Sequence, residues 1–261
     1  MKNNYHTHTT RCFHAVGQDE DYVQAAIDGG FDLLGFADHA PWPFESGFVS
    51  NIRMGMDALP GYLASVRDLQ ERYADRLPIL LGLESEYFPR YHDHLLRMRD
   101  MGVSYYILGQ HYADSEEDTP YTGLECSSDE GVLRYAESTV RAIRTGLFIY
   151  VAHPDLFMRR YPVFDENCRA AARDLCQICK QNNLPMEVNL HDRYRLGEAN
   201  GNGYPNAEFF EIAYDAGAQI ILGLDAHEPQ EIADPREYDR AMAETAHFGE
   251  RRLDRLSLRK A

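Results

Sequence analysis

The chain has 261 residues, 44% of them apolar and 11% aromatic, which suits one α/β domain of the larger kind better than two small ones. Its 42 acidic and 26 basic residues leave a formal net charge of −16, which argues against nucleic acid or an anionic membrane surface as the main partner. No run of about 18 uninterrupted apolar residues exists, so a membrane span is excluded on length.

Short apolar runs alternate with longer helical stretches from the first residues onward. A short segment around Tyr5 begins the series, and the N-terminus lacks the apolar centre of a secretion signal, so a cytoplasmic location is expected. A helix is predicted over 19–29, started by Gln18-Asp19-Glu20-Asp21 and stopped by Gly29-Gly30. The run 33–37 follows, then a long connection over 40–58 and a helix over 59–74. The run 79–83 leads to a helix over 90–101, and the run 105–109 to a second long connection over 111–128. Ser127-Ser128-Asp129-Glu130 starts a helix over 129–145, which ends at Gly146. The run 148–152, a helix over 165–182, the run 186–190, a third connection over 190–205 and a helix over 206–216 come next. The run 219–224 and a helix over 237–247 complete the order.

Continuous apolar runs of this length suit strands covered on both faces of a parallel sheet. Seven strand–helix repeats give a barrel or a doubly wound sheet, and the three long connections follow strand ends, where such folds place their sites. No glycine-rich fingerprint follows the first strand, so dinucleotide binding has no support. The five cysteines form no disulfide framework; Cys176 and Cys179, three apart on a predicted helix, are expected to be ordinary buried thiols.

The histidines carry the functional signal. His6 and His8 form H-x-H on the first strand, with His14 in the loop after it. His39, His111, His153 and His227 each close an apolar strand, and the third strand ends in Glu84. Residues two apart on a strand share a face, so His6 with His8, and Asp225 with His227, can point into one barrel mouth. Packing explains such a pattern poorly, because buried unpaired imidazoles are costly. Glu86 faces the same way as Glu84 by alternation and is its alternative. His92, His94 and His247 are expected to be solvated.

With these residues in order, the sequence resembles the PHP (polymerase and histidinol phosphatase) family along essentially its whole length. The matching motifs are His6-Thr7-His8 with His14, Asp38-His39, Glu84, His111, His153-Pro154-Asp155 and Asp225-Ala226-His227. The resemblance implies a distorted (β/α)7 barrel, a single domain over 1–261, holding two or three divalent transition metals (zinc, manganese or iron). It implies one ion on His6, His8, Glu84 and Asp225, a second on Glu84, His111 and His153, and a third on His14, His39 and His227. About six positive charges at that place would draw a phosphate to an acidic chain.

Such a cluster suits hydrolysis of a phosphate monoester, with a metal-bridging hydroxide as nucleophile and no covalent protein intermediate. The D-x-D-x-T pattern of aspartyl phosphatases is absent. Single-domain length resembles the histidinol-phosphate phosphatase branch, which implies L-histidinol phosphate as substrate and a step of histidine synthesis. Phosphate-holding arginines are expected at Arg160 and Arg195, with Arg159 and Arg193 as alternates. After the sixth strand the branch's usual Asn-Thr and glycine give way to Leu190-His191-Asp192 and a glycine-rich stretch over 197–203. His191 or Asp192 is the candidate acid for the leaving alcohol. The alternatives are a phosphoesterase for another small ester, a nucleotide or phosphotyrosine, and a non-catalytic metal-binding regulatory module. An amidohydrolase is disfavoured because the lysines avoid the strand ends. The oligomeric state stays open.

Overall fold

The structure is a computed structural model, which describes residues 1–192 and 203–258. Four parallel strands, β1 (Asn3–Asn4), β2 (Leu33–His39), β3 (Ile79–Ser85) and β4 (Tyr105–Leu108), pair in that order. A second parallel sheet holds β5 (Met186–Asn189), β6 (Ile220–Gly223) and β7 (Arg252–Leu253). Two junctions curl the sheets into a distorted barrel. On one side Val151 bridges Leu108 and Met186, and on the other Thr7 bridges Ala226.

The run 148–152 thus occupies the expected fifth strand position without forming a regular ladder. Pro185 has no N–H to offer Ile149 at the preceding rung, and the Ile149 N–H turns instead to the Tyr106 carbonyl. The short strand β7, not expected from the sequence, pairs with the start of β6, through Ile220 and Ile221.

The predicted helices form close to the expected limits: α1 (Asp19–Asp28), α2 (Leu59–Arg72), α3 (His92–Asp100), α5 (Asp129–Ile143), α6 (Glu166–Gln181), α7 (Ala207–Ala216) and α9 (Arg236–Glu244). Two short ones, α4 (Thr122–Glu125) and α8 (Pro229–Ala233), lie in stretches read as connections. Local chemistry sets the ends. Ser128, Asp165 and Asn206 accept backbone N–H groups of the first turns of α5, α6 and α7, and Gly217 at φ 72° ends α7. Cys176 and Cys179 are buried, unbridged thiols on α6, as expected, and burial pushes Cys176 up to about 12.

The barrel has a closed floor and an open mouth. Tyr105 lies inside, donating from its hydroxyl to the Tyr5 carbonyl (2.8 Å) and to the Phe36 carbonyl (3.0 Å). Gly35 and Gly82 make this possible, since a Cβ at either would run into the Tyr105 ring. Tyr5, Leu33, Ala37, Ile107, Tyr150 and Ala152 pack around it as an apolar plug. Functional side chains are left one outlet, the C-terminal rim of the strands.

Candidate metal centre

At that rim the chain gathers imidazoles and carboxylates that are otherwise expensive to bury. His6, His8, His39, Glu84, His111, His153 and His227 are all buried. Asp225 and His153 sit at positive φ (51° and 31°), a strained setting for residues with a side chain, and both point their polar groups into the cluster.

One set of four donors has the dimensions of a metal cage. A tetrahedral ion with bonds near 2.0–2.1 Å separates its ligand atoms by about 3.3 Å. His6 Nε2 lies 3.1 Å from His8 Nε2, 3.3 Å from Asp225 Oδ1 and 3.5 Å from Glu84 Oε1. His8 Nε2 lies 3.1 Å from Asp225 Oδ1 and 3.4 Å from Glu84 Oε2. These are five edges of such a tetrahedron. The buried atoms Asp225 Oδ1, His39 Nδ1 and His227 Nε2 make no hydrogen bond, a costly state that a bound cation relieves. The donor set therefore fits divalent metal.

Glu84 is the hub. Its Oε1 lies 2.7 Å from His153 Nε2 and 3.4 Å from His111 Nε2, while its Oε2 lies 3.0 Å from His39 Nδ1. Burial raises its pKa, but the imidazoles of His111, His6 and His39 outweigh that and hold it well below the carboxylate range. The expected third set is looser. The His14 ring stands 4.7 Å from that of His227 and 5.7 Å from that of His39. The tighter groupings of donor atoms are His8 and His39 with Glu84, His8 and His227 with Cys12, and His191 and His227 with Glu231.

A shell of carboxylates orients the histidines from behind. Glu187 Oε1 is 2.9 Å from His6 Nδ1, Glu86 Oε1 is 3.0 Å from His111 Nδ1, and Asp38 Oδ1 is 3.6 Å from His8 Nδ1. Glu86, weighed against Glu84 as a metal ligand, is one of these supporting groups, because its carboxylate is turned to Arg53 and to the far nitrogen of His111. Glu187 was not singled out from the sequence; an acid within the apolar strand β5 was the available signal. Two glycines make room for these acids: a Cβ at Gly109 would collide with the Glu84 carboxylate, and one at Gly223 with that of Glu187.

Above the cluster opens a cavity of about 510 Å³ whose walls include Tyr121, Arg159, Asp192, His191 and Tyr204. The expectation for the first pair of arginines is corrected. Arg159 lines the cavity, while Arg160 is exposed and lies outside it. The two end a 3-10 turn, Leu156–Arg159, where successive side chains diverge by roughly a third of a turn, so both cannot face inward. Asp192 holds Arg159, with Oδ2 3.0 Å from Nε and Oδ1 3.2 Å from Nη2. His191 Nδ1 lies 3.6 Å from Glu231 Oε1. Burial lowers the pKa of His191, but Glu231 and Asp225 outweigh it in the raising direction. Arg193, Arg195 and the stretch 197–202 lie outside the described residues. His247 is exposed and His92 half-buried. His94, expected to be solvated, is buried instead, its Nε2 held 3.0 Å from the Pro41 carbonyl by the loop folded over α3.

Protons and metal compete for this site. Burial disfavours charge on His6 and His111, yet the surrounding carboxylates lift His6 to about 10 and His111 to about 9. A metal binds only the neutral imidazole. Near pH 7 both protons must therefore leave, and the apparent affinity should climb by up to about tenfold per pH unit for each displaced proton until pH passes 9. Calorimetric titration of zinc into chelator-treated protein, in buffers of different ionisation enthalpy, counts the protons. No release at pH 7 would contradict this account.

The PHP domain family matches residues 4–191. A Deinococcus radiodurans protein named "Probable histidinol-phosphatase" is 31% identical over 233 residues, covering 87% of this chain and 86% of that protein. The histidinol-phosphatase of Bacillus subtilis is 24% identical over 260 residues, covering 89% of this chain and 96% of its own. Among solved structures, the histidinol phosphate phosphatase of Lactococcus lactis, in complex with zinc, L-histidinol and phosphate, superposes with a TM-score of 0.68. That likeness spans 98% of both chains at 17% identity.

Proposed function

Because the chain belongs to the PHP domain family, we propose that it is a phosphomonoesterase of the histidinol-phosphatase branch, hydrolysing L-histidinol phosphate to L-histidinol and phosphate. The observation that carries the reading is the Glu84-centred cluster of donors beneath a cavity with Arg159 on its wall. His6, His8, Glu84 and Asp225 would hold one divalent ion, and Glu84, His111 and His153 a second. His14, His39 and His227 would hold a third. Bound divalent cations supply an activated water and positive charge for the phosphoryl oxygens. Zinc in the Lactococcus lactis relative supports a divalent metal; manganese and iron suit the same mixed nitrogen and oxygen donors.

The chain's own residues do the rest. Glu84 offers an oxygen to each of two neighbouring ions and offsets the repulsion between them. Arg159 presents a planar guanidinium to the phosphate, and Asp192 keeps it in place until substrate arrives. His191, backed by Glu231, or Asp192 can protonate the departing alcohol. Residues 1–261 act as one domain on this reading, and the five unbridged cysteines suit a reducing compartment such as the cytoplasm.

A screen of phosphate release from small esters tests the assignment. Histidinol phosphate should exceed nucleoside monophosphates and phosphotyrosine in kcat/KM by roughly 100-fold, the discrimination expected where buried polar groups recognise one alcohol. A nucleotide or phosphotyrosine that matched it would move the substrate while keeping the chemistry. No release from any ester by metal-loaded protein would favour the non-catalytic module.

A further inference from the structure

Arg53, in the middle of loop 40–58, has its charged group fully buried. Its Nε donates to Glu116 Oε2 at 2.6 Å, its Nη2 to Glu86 Oε1 at 2.7 Å, and its Nη1 to Glu86 Oε2 at 3.0 Å and the Ala40 carbonyl at 2.9 Å. Glu86 also accepts from Trp42 Nε1 at 3.2 Å and stands 3.0 Å from His111 Nδ1. Glu116 accepts in addition from Ser50 Oγ at 2.5 Å. Two long connections and the end of β3 thus meet at one guanidinium.

Stability alone gives little reason for such a cluster. Removing three charged groups from water costs several kcal/mol each, and well-packed apolar residues often serve as well or better. Its geometry has another consequence. Glu86 can accept a proton-bearing Nδ1 from His111, which leaves the lone pair on Nε2, the nitrogen turned to Glu84 at 3.4 Å. Glu86 stays ionised and so remains an acceptor, because Arg53 and His111 outweigh the effect of burial and drive its pKa far below the carboxylate range. Arg53 also ties Glu116 to the loop that carries Asn51 and Ile52. Those residues line the cavity opposite Tyr112 and Tyr121, which belong to the same connection as Glu116.

We propose that Arg53 and Glu86 are positioning residues that fix the metal-binding tautomer of His111, and that the Arg53–Glu116 pair holds the two loops forming the cavity mouth. This rests on the metal-dependent reading above, and its two halves separate in experiment. Glu86→Gln keeps the shape of the side chain but can present its amide N–H to His111. It should weaken zinc binding at one site by about 10–100-fold, the usual cost of losing a histidine's carboxylate partner, with little change in KM. Glu116→Gln should bind zinc as the parent does and raise KM by about tenfold through a loosened mouth. Arg53→Lys keeps the charge but loses the fork, so it should show both effects in part. If Glu86→Gln does not fold, Arg53→Lys alone reads the zinc step.

Zinc affinity is measured by competition with a chromophoric chelator, and melting temperatures are recorded in parallel. Unchanged zinc affinity in Glu86→Gln, with only a lowered Tm, would reduce the network to scaffolding and overturn the first half. An unchanged KM in Glu116→Gln would overturn the second. A parent protein that binds zinc yet releases no phosphate would defeat the functional reading and leave the zinc result standing.

Discussion

Glu84→Gln is expected to lower kcat/KM for phosphate release by at least about 1,000-fold while leaving a folded protein. The loss of one preorganised electrostatic partner typically costs 100–1,000-fold, and this carboxylate serves two proposed ions at once. Its oxygens lie within 2.7–3.5 Å of nitrogens from His153, His39, His111, His8 and His6, so no other acid can take its place without moving the barrel rim. Glutamine has nearly the same volume, and Gly109 still leaves room beside it, so no cavity or overlap arises. The amide carries no charge and offers a single oxygen, which removes the bridge specifically. Elemental analysis should show less than the parent's metal content, and the thermal transition should remain cooperative. A variant that retained activity within tenfold of the parent would end the assignment of Glu84 as hub.

The strands and the metal donors were legible because both follow a period of two. An apolar run states where a strand lies, alternation states which way its last residues face, and His6, His8, Glu84, Asp225 and His227 obey both rules. The run 148–152 was legible as a barrel position but not as an irregular one, since that turns on Pro185, in a neighbouring strand position. Arg159 and Arg160 were not separable, because they end a three-fold turn that alternation does not describe. Arg53 was missed for a different reason. Its partners are 33 and 63 residues away, and no local pattern announces a charge that folding will bury. His94 shows the same limit: its burial depends on Pro41, which belongs to a loop 53 residues earlier. Periodicity finds what one element presents, whereas pairings between loops depend on how the finished barrel brings them together.

Arg159→Met should reduce kcat/KM by about 100-fold or more, mainly through KM, whereas Arg160→Ala should leave both constants near the parent values. Truncating one partner of a desolvated, hydrogen-bonded charge pair costs about 2–5 kcal/mol, and here the phosphate would be the partner left unmatched. Methionine keeps much of the packing over the Tyr204 ring, which the guanidinium approaches to 5.9 Å, so the change isolates charge and fork. The removal also leaves Asp192 as an uncompensated negative charge beside the incoming phosphate. Part of the loss is therefore repulsion, and it should be recoverable: Arg159→Met with Asp192→Asn should regain about tenfold over Arg159→Met alone. Contacting residues couple in this way by roughly 0.5–3 kcal/mol. Steady-state kinetics on the two single variants, the double variant and the parent close the cycle. Additive effects would mean that Asp192 does not act through Arg159 and would leave it as an independent acid. A loss below tenfold in Arg159→Met would show that this guanidinium is not the one that holds the phosphate.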